Sequence, residues 1–242
     1  MNRQRKPGEN PGKWAGCSAL GAAAILLISV LGSTASAAVI DFEGFTAGLI
    51  IDNEYAAGPS GAIISAVNFN NDLDVAVIFD SGNITGGDFD LGAPFMRGED
   101  VLDPGNILII QENGPCSETA CETPDDEGGR DAGRFIIEFN SLVILESIDF
   151  FDIEEPESMG SIQLFDGNGQ LLPDMFAVPD TGGDNTWDQE IFNVAGVKRV
   201  EILMGGSGAI DNITYSVVPV PAAVWLFGSA LGLLGWVRRK AS

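Results

Sequence analysis

Residues 38–216 alternate between short apolar runs and clusters of Gly, Pro, Asp and Asn. No segment combines a helical period with helix caps, whereas short apolar runs bounded by turn formers are typical of β-strands. About 180 residues suffice for one substantial domain. The pattern therefore predicts an all-β domain of about ten strands, most simply a jelly-roll-like β-sandwich. The predicted strands are 39–42, 63–69, 75–79, 107–111, 135–139, 143–153, 162–165, 190–194, 200–204 and 210–215.

Two separators between the predicted strands stand out. The sequence Asp166-Gly167-Asn168-Gly169 predicts a hairpin turn between Phe165 and Leu171. Residues 113–133 form a long connection between two predicted strands. Loops of that length are usually functional or disordered.

The predicted domain is strongly acidic. Between Ala38 and Tyr215 it holds 34 of the 35 acidic residues against five basic ones, a net charge of −29. The basic residues are Arg97, Arg130, Arg134, Lys198 and Arg199. Nucleic-acid binding is excluded as a function, because phosphate contacts need cations. The charge favours either solubility outside the cell or the binding of hard cations.

The N-terminus has the pattern of a secretory signal. Four basic residues precede an apolar stretch at 19–31, and Ala35-Ser36-Ala37 matches an A-x-A cleavage site. Residues 1–37 are therefore predicted to be a signal peptide that signal peptidase removes between Ala37 and Ala38. The mature protein then begins at Ala38, outside the cytoplasm.

The C-terminus predicts a single membrane helix at about 222–237. Sixteen residues at about 1.5 Å each span roughly 24 Å, slightly less than a hydrocarbon core of about 30 Å. The basic residues Arg238, Arg239 and Lys240 follow and predict a cytoplasmic C-terminus. A buried core helix is the alternative, but such a helix does not need three cations at its end.

The whole tail, residues 217–242, resembles the PEP-CTERM sorting signal of bacterial exopolysaccharide-associated proteins. The resemblance rests on Pro219 and Pro221, the apolar run after them, and the terminal basic cluster; Val220 stands where family members usually have Glu. It implies recognition by the membrane protease-transpeptidase exosortase. The protein would then be membrane-anchored at first, and later reside on the surface or in the extracellular matrix of a Gram-negative bacterium.

Cys116 and Cys121 are the two cysteines outside the predicted signal peptide. In an exported chain, two nearby cysteines in a stretch rich in Gly, Pro and Asp predict a local disulfide. A zinc site is the alternative. It needs two further Cys or His ligands, and the chain contains no histidine.

Clustered Asp, Asn and loop carbonyls predict a calcium site, since Ca²⁺ takes six to eight oxygen ligands. The candidate ligands are Glu43, Asp88, Asp90, Asp125 and Asp211. The opening Asp41-Phe42-Glu43 and the closing run 209–213 also resemble galactose-binding-like, lectin-type sandwiches, in which such carboxylates can hold a structural calcium. The alternative is that these residues simply form turns.

For the function, the sequence favours a non-enzymatic surface or matrix protein that binds calcium and extracellular polysaccharide. Aromatic platforms for a sugar are few: Trp187, Tyr55 and Tyr215. The absence of histidine excludes a Ser-His-Asp triad. The alternative is a secreted glycan hydrolase that uses a carboxylate pair. Its candidate residues are Glu138, Asp149, Asp152, Glu154 and Glu155.

Overall fold

The computed structural model describes residues 37–155 and 159–217 of the 242-residue chain. Within these ranges the chain forms twelve strands and one short 3₁₀ helix. The elements are β1 (Ala37–Ile40), β2 (Ile50–Ile51), β3 (Ala62–Asn68), β4 (Ala76–Asp80), η1 (Phe89–Leu91), β5 (Phe95–Arg97), β6 (Asp100–Leu102), β7 (Asn106–Ile110), β8 (Gly133–Phe151), β9 (Ser161–Phe165), β10 (Leu171–Ala177), β11 (Trp187–Met204) and β12 (Ala209–Val217).

Ten strands belong to one hydrogen-bonded sheet, and β5 and β6 form a separate pair. The long strands β8 and β11 divide the large sheet into two parts, here named the first and the second sheet. The first sheet has the order β3–β8–β11–β9–β10, and all its neighbouring strands are antiparallel. It uses the first half of β8 and the second half of β11. Along β3, the side chains of Ala62, Ile64 and Ala66 are buried while those of Ile63 and Ser65 are exposed. Because successive strand residues point to opposite faces, one face of this sheet is apolar and the other meets solvent.

The second sheet has the order β11–β8–β12–β7–β4–β2 and uses the opposite halves of β11 and β8. Strand β1 pairs with the later part of β12, with Ala37 opposite Ser216 and Ile40 opposite Ile213. The first and last strands are therefore neighbours. The predicted start of the mature chain lies beside the residues that lead into the predicted sorting tail.

Strands β8 and β11 run through both sheets. Their mutual pairing is interrupted between Glu138 and Val143, where the register shifts. The sequence predicted two separate strands in each of these regions, and that prediction is wrong. Polar Asn140 and Ser141 break the apolar alternation, but the backbone of β8 stays extended through them. A bend in a continuous strand and a true turn look alike in the sequence.

One hydrophobic core fills the space between the two sheets. Phe135, Ile137 and Phe139 reach it from the first half of β8, and Ile148 and Phe150 from the second half. These five side chains are fully buried. Apolar contact across the sheets, the main stabilising term in such a fold, makes the architecture β-sandwich-like.

A second apolar cluster lies on the far side of β4 and β7. Residues 81–105 and 111–132, here named the loop layer, cover that side. Leu91, Phe95 and Cys121 from the loop layer pack against Phe79 and Ile109. Strands β4 and β7 are consequently buried on both faces, which explains their nearly continuous apolar sequences.

The all-β prediction is confirmed, and so is the hairpin turn, in which the Asp166 amide donates to the Gln170 carbonyl at 2.9 Å. Strands β2, β5, β6 and β10 were missed. β10 contains Pro173 and a register irregularity, and Pro within a run argues against a strand except at an edge. The predicted signal peptide and membrane helix lie outside the described residues. Among those that are described, no helix is long and apolar enough to cross a membrane.

Candidate functional site

The solvent-facing side of β3, β8, β11 and β9, here named the outer face, has its residues in cross-strand rows. One row joins Arg134 of β8 to Leu203 of β11 and Ser161 of β9. The next joins Glu201 of β11 to Gln163 of β9. The ladder thus places charged, amide and hydroxyl groups side by side.

Charges on the outer face are paired through Glu201. Its Oε2 accepts a hydrogen bond from Arg134 Nη1 at 3.0 Å, and its Oε1 lies 3.1 Å from Arg199 Nε. The Arg199 guanidinium also lies over the Phe165 ring, 4.1 Å from the centroid. Arg134 Nε is buried without a hydrogen-bond partner.

A cavity of about 90 Å³ opens on the outer face. Its lining residues are Phe69, Arg134, Ser161, Gln163, Glu201 and Leu203. The volume is far below the roughly 300–1,000 Å³ of a pocket that buries a drug-sized ligand. Phe69 is 49% exposed and supplies an aromatic surface at the rim. The geometry suits shallow contact with one edge of a polar ligand.

Three carboxyl groups of the loop layer lie near a fourth at the end of β8, and together they form what is here named the loop carboxylate cluster. Its members are Asp88, Asp90, Asp126 and Asp152. Asp88 Oδ2 accepts the Asp126 amide at 3.1 Å. Asp126 Oδ2 accepts the Ser207 hydroxyl at 2.6 Å and the Gly208 amide at 2.8 Å. Gly208 has a φ of +135°, so a glycine is needed to present that amide.

Asp152 follows β8 directly and completes this cluster. It is 5% exposed, and its Oδ1 has no hydrogen-bond partner. Loss of hydration, and after it the charge of Asp90, raises the pKa of Asp152 to about 8. Burial, and after it the charge of Asp126, raises the pKa of Asp88 to about 8 as well. Burial also raises the pKa of Asp126. The cluster therefore favours a bound proton or cation.

Asp211 belongs to a second acidic group. It faces Asp149 across the β8–β12 ladder, is 1% exposed, and its Oδ1 has no hydrogen-bond partner. Burial raises its pKa to about 9, and the charges of Asp149, Glu43 and Asp41 add to the rise. Burial likewise raises the pKa of Tyr55, beside the same carboxylates, to about 12.

The structure divides the five predicted calcium ligands between these places. Asp88 and Asp90 lie in the loop carboxylate cluster, whereas Glu43 and Asp211 lie in the second group. Asp125 lies next to the cluster, accepts a hydrogen bond from the Asn113 amide group, and packs against Gly86. In residues 37–155 and 159–217, no three acidic side chains already have the arrangement of a metal site.

The disulfide prediction is confirmed, because Cys116 and Cys121 are bonded. The bond closes a turn whose Ala120 bridges to Leu49, so it holds part of the loop layer against the sandwich. An open depression of about 380 Å³ adjoins it. The predicted cleavage site falls at the start of β1, whereas Pro219, Pro221, Arg238, Arg239 and Lys240 lie outside the described residues.

Sequence reasoning missed Arg134, Glu201, Asp126 and Asp152 as a set of binding candidates. The aromatic residues it named are unsuited to an exposed platform: Tyr215 is 3% exposed, and Arg97 covers the Trp187 ring at 4.1 Å. The sequence did contain an indication of the outer face: Arg134, Lys198 and Arg199 are three of the five basic residues in a strongly acidic domain. Cross-strand partners, however, become visible only in the fold.

No protein-family model and no curated protein matches this chain. Among solved structures it is similar to a fucose-binding module of Streptococcus pneumoniae, at 11% identity and a TM-score of 0.27, over 38% of this chain and 67% of the module. It is also similar to the lectin domain of lectinolysin, solved with Lewis b antigen, at 7% identity and a TM-score of 0.27, over 39% of this chain and 70% of that domain.

A third similar structure is the enzymatically active domain of tailspike protein 4 from bacteriophage CBA120. The identity is 12% and the TM-score 0.30, over 69% of this chain and 20% of that one. TM-scores of this size are too low to show a shared fold. The chain's own geometry is that of an all-β, sandwich-like domain with a polar outer face and two groups of buried carboxylates.

Proposed function

We propose that this chain is an exported, non-enzymatic surface or matrix protein of a Gram-negative bacterium, and that its domain binds polysaccharide through the outer face. The observation that carries the proposal is the group of Arg134, Glu201 and Gln163, from two adjacent rows, beside exposed Phe69 around one shallow cavity.

The chemistry of these groups matches a sugar. Guanidinium groups offer donors in a planar fork, carboxylates offer acceptors, and an amide offers both, so neighbouring hydroxyl groups can be satisfied in pairs. The Phe69 ring provides apolar surface for the C–H side of a ring. Glu201 is already held by Arg134, so little side-chain entropy is lost on binding.

The hydrolase alternative is less well supported. Asp149 and Asp211 are neighbours across the ladder, but they are only 5% and 1% exposed. Asp149 also accepts hydrogen bonds from Gln189 at 2.8 Å and Asn212 at 3.0 Å. A glycosidase needs its two carboxyl groups on either side of an accessible glycosidic bond. Neither side chain is accessible to a sugar in this structure.

Export and sorting are supported by the two ends of the sequence and by the disulfide. Disulfides persist outside the reducing cytoplasm. Cleavage between Ala37 and Ala38 would remove a single residue from β1 and leave its pairing with β12 otherwise intact. Exosortase would act on the tail that follows β12.

Polysaccharide binding is tested with full-length protein, kept in mild detergent because of its apolar ends, on an array of bacterial exopolysaccharides. Phe69→Ala and Gln163→Ala are expected to weaken binding at least tenfold. The matched control is Phe89→Ala, which removes a phenylalanine that is 75% exposed but lies away from the cavity. Loss of binding in the control alone, or no glycan bound by the wild type, contradicts the proposal.

Sorting is tested in cells. Replacing Arg238, Arg239 and Lys240 with Ser is expected to weaken membrane retention, because the positive charges orient the helix. Deleting exosortase is expected to leave the tail attached, which intact-mass measurement detects. Unchanged fractionation in the triple variant contradicts the membrane-tail interpretation.

A further inference from the structure

The polar groups of the outer face continue beyond the cavity. Glu201, which lines the cavity, contacts two arginines: its Oε2 accepts a hydrogen bond from Arg134 Nη1 at 3.0 Å, and its Oε1 lies 3.1 Å from Arg199 Nε. Arg199 lies outside the cavity lining, in the next cross-strand row, directly opposite Phe165 of β9. One carboxylate therefore joins the cavity to a second guanidinium group.

That second guanidinium group is held against an aromatic ring. The Arg199 guanidinium lies over the Phe165 ring, 4.1 Å from the centroid, while 35% of the Arg199 side chain is exposed. Guanidinium groups stack on aromatic faces and present their donors in a planar fork. With one face against the ring, the group can meet the C–H side and the hydroxyl groups of a sugar with its other face and its edge. The pair repeats the combination of planar polar group and aromatic ring found at the cavity.

The two positions follow one another along β11. Leu203 and Glu201 line the cavity, and Arg199 lies two residues from Glu201 in the same strand. Alternate strand residues share a face, so all three side chains lie on the outer face. From Leu203 to Arg199 the strand extends about 13 Å, at roughly 3.3 Å per residue. That length exceeds one sugar ring and matches several linked sugars.

We infer that the outer face binds an internal segment of an extended polysaccharide chain, with one sugar at the cavity and a later sugar of the same chain on the Arg199–Phe165 pair. The inference rests on the proposed polysaccharide binding and adds a second subsite to it. Because the two sugars are covalently linked, contact at the second subsite becomes intramolecular once the first sugar is bound. The affinity therefore rises with chain length until both subsites are filled.

Position, and not stacking alone, distinguishes Arg199. Arg97 also lies over an aromatic ring, that of Trp187 at 4.1 Å, and its Nη1 lies 3.1 Å from Asp188 Oδ1. The Arg97 side chain is 41% exposed, slightly more than that of Arg199. Arg97 belongs to β5, however, and its partner Asp188 does not line the cavity. Arg97 is therefore a matched control that has the same chemistry at a different location.

The test is isothermal titration of full-length protein in mild detergent. The probes are fragments, from a single sugar to a hexasaccharide, of the polysaccharide that binds best on the array of exopolysaccharides. The wild-type affinity is expected to rise at least about tenfold from the shortest fragment that binds to the longest. Arg199→Met is expected to lower the affinity for the longest fragments at least about fivefold and to leave the affinity for the shortest binding fragment unchanged.

A conservative variant separates stacking from charge. Arg199→Lys keeps the positive charge but lacks the planar fork, so it is expected to bind the long fragments as weakly as Arg199→Met. If Arg199→Met does not fold, Phe165→Leu replaces it, because it removes the aromatic support and has the same expected result. Arg97→Met is expected to bind every fragment like the wild type.

The outcomes separate this inference from the proposed function. If the wild type binds no polysaccharide, the proposed function fails, and this inference fails with it. If Phe69→Ala weakens binding but Arg199→Met, or its replacement, keeps the wild-type affinity for the longest fragments, only the second subsite is overturned. The second subsite is also overturned if the wild-type affinity does not rise with fragment length, if Arg199→Lys binds like the wild type, or if Arg97→Met causes an equal loss.

Discussion

Negative charges are paired with cations on the outer face but lie near other negative charges in the loop layer. On the outer face, Glu201 lies between Arg134 and Arg199, and Lys198 Nζ lies 3.9 Å from Glu138. In the loop layer and at the end of β8, carboxyl groups lie near one another, and burial raises the pKa of each of Asp88, Asp126 and Asp152. The domain has only five cations, so their positions decide where negative charge is compensated.

This contrast separates two kinds of recognition. A surface of paired charges is preorganised and presents both donors and acceptors, which suits a neutral, hydroxyl-rich ligand. A group of uncompensated carboxylates attracts protons and cations instead. The net charge of −29 is therefore unevenly distributed, because the excess of negative charge is concentrated away from the outer face.

The largest expected effect tests whether the loop layer has a core of its own. Phe95 is fully buried, and its ring lies 4.8 Å from that of Phe151, edge to face. Phe95→Ala is expected to lower the free energy of unfolding by about 3–5 kcal/mol, as for other buried phenylalanines. Urea unfolding followed by tryptophan fluorescence measures it.

Phe69→Ala is the matched control, because Phe69 is 49% exposed on the outer face. Its expected effect on the free energy of unfolding is below about 0.5 kcal/mol. If both variants have the same urea midpoint as the wild type, the side chains of the loop layer are not tightly packed against the sheet. That result would also remove the rigid support that the carboxylate cluster requires.

Much of the architecture could be predicted from the sequence. The alternating runs gave the strand positions at 62–68, 76–80 and 106–110 within one or two residues. The continuity of β8 and β11 could not be predicted, because polar residues at a bend interrupt the apolar pattern without interrupting the backbone ladder. Short edge elements such as β5 and β6 are set by tertiary contacts rather than by propensity.

The candidate sites were less predictable than the strands. Asp125 and Asp126 are adjacent in sequence, yet Asp126 faces Ser207 and Gly208 while Asp125 meets Asn113. Only the path of the loop decides which carboxylate turns inward. The local disulfide was predictable, because chemistry and spacing alone restricted the partners of Cys116.

The next effect concerns the pH dependence of stability through Asp211. Burial raises the pKa of Asp211 in the folded protein from 3.8 to about 9. Above about pH 4 the unfolded chain ionises at this residue while the folded protein keeps the proton. The free energy of unfolding therefore has its full contribution from Asp211 below about pH 4 and loses it as the pH rises towards 9. In chelator, Asp211→Asn is expected to be more stable than the wild type at pH 7 by roughly 2–4 kcal/mol, since one pKa unit corresponds to about 1.4 kcal/mol.

Thermal melts between pH 4 and pH 9 measure this difference. The two proteins are expected to melt alike at pH 4 and to diverge as the pH rises. Asp166→Asn is the control with the opposite sign, because hydrogen bonds from Gln170 and Asn168 lower the pKa of exposed Asp166. A constant difference across the whole range would show that the effect of Asp211→Asn is steric rather than electrostatic.

A smaller effect is expected for the disulfide. Cys116 and Cys121 are five residues apart, and closing so short a loop restricts the unfolded chain by about 2 kcal/mol in the loop-entropy description. The Cys116→Ser, Cys121→Ser double variant is expected to lose that amount, measured by urea unfolding. The same loss in reduced wild-type protein confirms the cause; a loss above about 5 kcal/mol would show that the bridge organises the entire loop layer.

The smallest effect is expected where charges are already paired. Arg134 and Glu201 are bonded at 3.0 Å, but their side chains are 38% and 15% exposed, so water screens part of the attraction. A double-mutant cycle with Arg134→Met and Glu201→Gln is expected to give a coupling energy of about 0.5–1 kcal/mol that falls with salt.

The Arg97–Asp188 pair, at 3.1 Å and with 41% and 42% exposure, is the matched control. Both cycles should agree in stability, while only the Arg134 variant should lose polysaccharide binding. A coupling energy above about 2 kcal/mol for the Arg134–Glu201 pair, but not for the control pair, would show that this ion pair stabilises the sheet. A role of the pair in polysaccharide recognition would then require direct evidence of contact with the ligand.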